Sequence, residues 1–248
     1  MRSFAIITIA LCGLAGGAHA DDDARSIGHV VTAPTAWLPT MLTATAGGEL
    51  NDPKKGPTAS LQIPLGGLAA VELDDDTDVR TCDDCTATGT RTAIHLRRAA
   101  FRLGIRPDRY FRHQPAAVVG FRKSWRGTDD ARVAELWVAL SEELGPVRLH
   151  GGAMLTSADS AKVPLLDHKP SAFGGLEWTP TQYPRTSLVG DLVWVPELAA
   201  SPKLTYVIGV AARYQAFSWG SLELGVRTYE GDAIGDVKVF VKMNLLAR

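Results

Sequence analysis

Leu204-Thr205-Tyr206-Val207-Ile208-Gly209-Val210-Ala211-Ala212-Arg213-Tyr214-Gln215-Ala216 alternates with period two. One set reads Leu204, Tyr206, Ile208, Val210, Ala212, Tyr214 and Ala216; the other reads Thr205, Val207, Gly209, Ala211, Arg213 and Gln215. Successive side chains of a β-strand point to opposite faces, so this segment has one apolar face and one small, polar or charged face. The pattern continues downstream. Leu222, Leu224 and Val226 alternate with Glu223, Gly225 and Arg227, and Val237, Val239 and Val241 with Lys238, Phe240 and Lys242.

The same alternation fills the centre of the chain. Phe101, Leu103 and Ile105 alternate with Arg102, Gly104 and Arg106; Leu136, Val138 and Leu140 with Glu135, Trp137, Ala139 and Ser141. Leu149, Gly151, Ala153 and Leu155 alternate with Arg148, His150, Gly152 and Met154; Gly174, Leu176 and Trp178 with Gly175 and Glu177; Leu188, Leu192 and Trp194 with Val189, Asp191 and Val193. Turn chemistry separates the runs: Pro64-Leu65-Gly66-Gly67, Glu143-Leu144-Gly145-Pro146, Thr179 to Pro184, and Phe217-Ser218-Trp219-Gly220. Longer polar loops are expected at 51–57, 74–90, 107–114 and 156–170. The expected strands are 41–49, 58–65, 67–74, 93–105, 115–125, 132–142, 146–155, 171–179, 186–195, 204–216, 220–228 and 236–246, about twelve in all. Val133 to Glu143 has residue types that suit a helix, but strands flank it on both sides, and it reads as a strand.

Composition narrows the class. The 248 residues carry 26 Lys+Arg and 27 Asp+Glu, and 46% are hydrophobic. Balanced charge without a basic block argues against a nucleic-acid binder. The hydrophobic fraction excludes a disordered chain. Apart from the N-terminus, no charge-free run reaches the length of a membrane-spanning helix.

Residues 1–20 read as a cleaved export signal: Arg2, an apolar run from Phe4 to Leu11, and the small-residue site Ala18-His19-Ala20 before Asp21-Asp22-Asp23. Leu11 before Cys12 does not suit a lipoprotein site, so Cys12 is expected to leave with the signal. Residues 21–40 are expected to be an N-terminal extension and 41–248 the β domain. The pair Cys82 and Cys85 has three readings: a small loop disulfide, which an oxidising compartment favours, redox exchange, or a metal site lacking a second Cys pair.

Between all-β architectures, three features favour a transmembrane barrel over a soluble sandwich. Many strands reach about ten residues, enough to cross a bilayer when tilted, where soluble strands average about five or six. Charges recur deep inside strands, at Arg98, Arg102, Arg122, Arg148, Glu177, Asp191, Arg213, Glu223, Arg227, Lys238 and Lys242. Aromatic residues gather near strand ends, at Trp125, Trp178, Trp194, Trp219, Tyr183, Tyr214 and Tyr229, as interfacial girdles do. The fold expected is therefore all-β: a single antiparallel up-and-down transmembrane β-barrel. In this pattern the chain resembles Gram-negative outer-membrane β-barrel proteins of the porin-like class. The opening Gly28 to Ala36 also resembles the start of exopolysaccharide-associated barrel proteins. One departure is the end, Leu245-Leu246-Ala247-Arg248, where such barrels usually carry an aromatic residue.

The resemblance implies a place in the outer membrane, with its lipid and the barrel-assembly machinery as partners. It also implies a passive pore or a structural barrel. The charges along the polar faces predict a mixed lumen with a basic wall, from Arg97, Arg98, Arg102, Arg106, Arg122, Lys123, Arg126 and Arg148. Small solutes or polysaccharide are the expected ligands. The alternatives are a barrel engaging polysaccharide, lipid or an export partner, a barrel hydrolase, and a periplasmic β-sandwich. No nucleophile and base can be paired from local sequence, and His150 reads as a lumen-filling side chain. Asp167-His168 reads as loop. Asp74-Asp75-Asp76 and Asp129-Asp130 have no calcium-loop spacing, and no phosphate loop occurs, so neither a cofactor nor a metal is implied.

Overall fold

Exposure is inverted along the strands: the apolar members of each alternation lie outside and the polar members inside. Val138, Leu140 and Leu224 are exposed by 57%, 55% and 56%, while Arg102, Glu135 and Glu223 are exposed by 3% or less. A water-soluble sandwich has the opposite arrangement. The computed structural model describes residues 29, 31–51, 57–76, 78–82, 91–125, 131–160, 163–231 and 237–247.

The strands are β1 (Leu42–Glu49), β2 (Thr58–Leu65), β3 (Ala69–Asp76), β4 (Arg80–Cys82), β5 (Arg91–Ala93), β6 (Leu96–Ile105), β7 (Ala116–Trp125), β8 (Arg132–Leu144), β9 (Val147–Ser160), β10 (Val163–Trp178), β11 (Thr186–Leu198), β12 (Lys203–Phe217), β13 (Gly220–Tyr229) and β14 (Lys238–Ala247). Twelve of them form one closed antiparallel wall. Each pairs with the next in the chain, with β3 meeting β6 directly, and β1 pairs with β14 to close the ring. The expected strands all occur, including 132–142 as β8 rather than a helix. No helix among the described residues is long and apolar enough to cross a membrane.

β1 starts and β14 ends at the same end of the barrel, because they are antiparallel neighbours with Leu42 opposite Ala247. That end, here the turn end, also carries the short connections 66–68, 145–146 and 218–219. Gly66, Gly67 and Gly145 have positive φ there, a conformation glycine adopts without a Cβ penalty. The opposite, loop end carries the described stretches 50–51, 78–79, 94–95, 199–202 and 230–231.

Two expected loops are different in the structure. The stretch 156–170 continues the β9–β10 hairpin instead of leaving it, with register shifts between Val163 and Leu166 and between Leu166 and Lys169. The stretch after β3 contains β4, which runs parallel to the end of β11, with Arg80 opposite Glu197, and pairs with β5. Val79, Ile94 and Leu96 of this excursion pack with Ala131, Val133, Ala158, Leu166 and Leu198, folding it over the loop-end mouth. Tyr229, expected in a girdle, is buried and faces inward. It lies two residues beyond inward-facing Arg227 and so on the same side of β13. Trp125, Trp178, Tyr183, Tyr214 and Trp219 are exposed, as a girdle requires. Phe217 and Trp219 stack at the turn end with centroids 4.8 Å apart. The export signal, Cys85, Asp129 and Asp130 lie outside the described residues, and of Cys82 only the backbone is described.

Candidate functional site

The lumen is the candidate site, and the alternation builds it. On β8, Glu135, Trp137, Ala139 and Ser141 all point inward because they are two apart; on β12, Thr205, Val207, Gly209, Ala211 and Arg213 do the same. The charges singled out in the sequence converge there. Arg98, Arg102, Arg122, Arg148, Glu177, Asp191, Arg213, Glu223 and Arg227 are buried or nearly so, and Lys242 and Lys238 are partly buried on the same face of β14.

They meet as pairs. Arg98 donates twice to the Asp74 carboxylate, at 2.6 Å each. Arg102 Nη2 donates to Glu72 Oε2 at 3.2 Å, and Arg122 bonds Glu135 through Nε and Nη2. Arg148 Nε donates to Glu143 at 3.1 Å. Arg213 bonds Glu223 at 3.0 Å and lies 3.5 Å from Glu177, and Arg227 pairs with Asp78. Of the buried charged side chains among the described residues, six are arginines (Arg80, Arg102, Arg122, Arg148, Arg213, Arg227) and six are carboxylates (Glu72, Glu135, Glu177, Asp191, Glu197, Glu223). Of the residues read in the sequence as a basic wall, Arg98, Arg102, Arg122 and Arg148 face the lumen and each meets a carboxylate, whereas Arg97, Arg106 and Lys123 are exposed and Arg126 lies outside the described residues. Removing one partner of such a pair leaves a buried charge alone and typically costs about 3–5 kcal/mol.

Asp191 is different: its partner is the chain's own N-terminal segment. Asp191 Oδ2 accepts the backbone N–H groups of Val31, Thr32 and Ala33 at 2.9, 2.6 and 2.6 Å. Successive N–H groups of a turn converge on an anion in this way, and His29 bridging back to Pro34 is that turn. The segment climbs from the turn end. Leu38, Ala36 and Ala33 pack with Trp137, Met154, Phe173, Val193 and Val207 of the wall. Ala36 N donates to Ser141 Oγ at 2.8 Å, and Trp37 lies under the Arg148 guanidinium, 5.3 Å from its ring centroid. Lys242 Nζ donates to the Val31 carbonyl at 2.8 Å. His29 Nε2 lies 2.6 Å from Glu72 Oε1, and burial pushes its imidazole below the ordinary value against the pull of Glu72.

The wall is notched to receive this segment. Gly209 stands opposite Asp191 in the β11–β12 register. A Cβ there would lie 2.7 Å from both Asp191 Oδ1 and Val31 Cγ1. Gly120 plays the matching part for Trp137, whose indole lies flat against it.

Ser141 and His150, not paired in the sequence reading, are cross-strand partners with Oγ and Nδ1 2.8 Å apart. Serine beside histidine is the beginning of a nucleophile and base. Here the hydroxyl also holds the Ala36 N–H, both residues are buried, and His150 Nε2 has no carboxylate partner among the described residues. The geometry clamps the segment to the wall. Asp167 and His168 contact each other but are exposed on the hairpin extension.

A cavity of about 100 Å³ remains beside the segment, between β1–β3 and β12–β14. Among the described residues no cluster of His, Cys, Asp and Glu could hold a metal ion.

No protein-family model and no characterised protein sequence matches the chain. Solved structures do match in fold. The NanC porin superposes with a TM-score of 0.51 at 10% identity, over 84% of this chain and 99% of that one. The KdgM porin, solved in complex with disordered oligogalacturonate, superposes with a TM-score of 0.50 at 10% identity, over 83% and 99%. The chain has the fold of outer-membrane β-barrels of the porin type.

Proposed function

We propose that this chain sits in an outer membrane and forms a narrow passive pore for small polar solutes, constricted by its own N-terminal segment. The observation that carries this reading is a polar lumen only partly filled: the segment occupies one side, and an open cavity lined by paired charges runs beside it. The exposed apolar belt supports the membrane setting, because strands of ten or more residues at a tilt give a band about 25 Å tall. Short turns and both ends of the wall at one end resemble the periplasmic side of such barrels, and on this reading the β4–β5 excursion lies at the outer mouth. Balanced, paired lumen charge favours weak ion selectivity over a basic filter.

Planar-bilayer recording tests the reading. Small, weakly selective conductance steps are expected from the native chain, with larger steps from Asp191→Ala, which frees the segment. Absence of steps from both proteins would remove the pore function and leave a structural barrel. Changing Arg102 and Arg122 to Glu is expected to shift the reversal potential towards cations if ions pass those walls.

A further inference from the structure

We propose that the outward face of β6, β7 and β8 at the loop end docks one anionic membrane lipid. Its phosphate sits on Arg97, Lys123 and Arg132, and an acyl chain lies on the apolar row beneath them. The site rests on the membrane setting and not on the pore.

Register brings the three cations together. Arg97 stands opposite Trp125 across β6–β7, and Trp125 stands opposite Arg132 across β7–β8. Lys123 is two residues from Trp125 on the same face, with Ala99 on one side and Ala134 on the other. Directly opposed residues hold their Cβ atoms about 4.5–5.5 Å apart, so the cations surround one indole. The two alanines leave the flanks of Lys123 open. The next outward row into the belt is Phe101, Phe121 and Leu136, exposed by 46%, 47% and 48%.

These cations differ from those of the lumen. Arg122 turns inward to Glu135, and its neighbour Lys123 turns outward. Arg97, Lys123 and Arg132 are all exposed, and none is in an ion pair among the described residues. Two acids share the outer row, Asp75 opposite Arg97 and Asp159 opposite Arg132. Each stands two strand spacings from Trp125, about 10 Å, and neither is a lateral neighbour of Lys123. The centre of the cluster is therefore its most positive part.

A cation is costly at the bilayer midplane and nearly free at the interface, so the cluster marks headgroup level. Arginine binds phosphate oxygens through paired N–H groups, and lysine does so as a point charge. Free phosphate would use the cations alone, whereas a lipid also covers the phenylalanine row. A zwitterionic headgroup would bring a cation of its own against three. Farther round the ring, the loop-end girdle is Trp194 against Tyr206, with centroids 5.8 Å apart. Leu192, Pro196, Leu204 and Ile208 share that face, so the girdle there has no cation beside it.

The test folds the full chain in neutral detergent and titrates it with short-chain phosphatidylglycerol or phosphatidylcholine, counting bound lipid by native mass spectrometry. Phosphatidylglycerol is expected to bind at least about ten-fold more tightly, at roughly five-fold per cation less what the two acids take back. Lys123→Gln is expected to weaken it about five-fold. Arg97→Gln, Lys123→Gln and Arg132→Gln together are expected to abolish the preference, with phosphatidylcholine binding and heat-modifiable mobility unchanged. Equal binding of the two lipids, or a preference that survives the triple change, overturns the site. If the triple variant does not fold, Lys123→Gln alone is read, and unchanged affinity overturns it equally. Inorganic phosphate separates lipid from free anion: phosphatidylglycerol that survives a hundred-fold excess supports the lipid, and displacement at equal concentration overturns it. Insertion of the native chain into phosphatidylcholine liposomes separates this inference from the membrane reading. Insertion without lipid preference removes the site alone; failure to insert removes the membrane setting and the site with it.

Discussion

The two sides of this barrel share one backbone plan and differ in height and filling. Strands β8 to β12 are 13 to 16 residues long, and the lumen beside them holds Trp137, Met154, Phe173 and the N-terminal segment. Strands β1 to β3 are 8 residues each, and the lumen beside them is hollow, lined by Thr45, Ser60 and Gln62. The tall side sets a cluster of apolar residues among its inward charges, so it packs the segment through Trp137, Met154 and Phe173 and pins it through Asp191 and Ser141. The short side has a polar interior, and water or solute satisfies it better than a side chain does. A closed wall therefore does not by itself fix whether a lumen is open; the size and polarity of the inward members of each alternation do.

The largest expected effect breaks the tall side. Trp137→Ala removes the largest ring packed there, and about 3–5 kcal/mol of stability should go with it, read as a lowered midpoint of heat-modifiable mobility. Asp191→Ala comes next. It leaves three N–H groups without their acceptor and should loosen the segment by roughly 2–4 kcal/mol, read as faster proteolysis of residues 29–40 and larger conductance steps. Gly209→Ala should act through the same contact, because the new methyl displaces Val31 or Asp191; about 1–3 kcal/mol is expected, with a smaller rise in conductance. Ser60→Ala on the hollow side should change stability by less than about 0.5 kcal/mol. If Ser60→Ala costs as much as Trp137→Ala, the contrast between the sides fails.

The wall was legible in the sequence because period two survives wherever one face meets lipid. Even some lumen contacts were within reach. Residues equidistant from a two-residue turn face each other, so Gly145-Pro146 alone pairs Ser141 with His150 and Glu143 with Arg148. The β9–β10 extension was not legible, since strands beyond the bilayer are wet on both faces and Asp167, His168 and Lys169 break no rule there. Nor was the lumen filling. His29 to Trp37 has no period, and its anchors lie far along the chain, at Glu72, Ser141, Asp191 and Lys242. Balanced totals of charge hid the pairing, because counts do not say which arginine meets which carboxylate.

The Lys242 bond to the Val31 carbonyl has a consequence for assembly. Lys242 belongs to β14, the strand that closes the ring against β1, and this seam joins the two most distant strands of the sequence. Contacts between distant segments carry the greatest loop-closure cost and form late. A segment that lies inside the ring and touches its last strand must already be in place when the seam zips, since threading it afterwards would require passage through a finished wall or mouth. The inserted residues thus act as a template for closure. Deleting 29–40 should slow the final step of folding, seen as a longer-lived heat-sensitive intermediate, even where the finished barrel is stable.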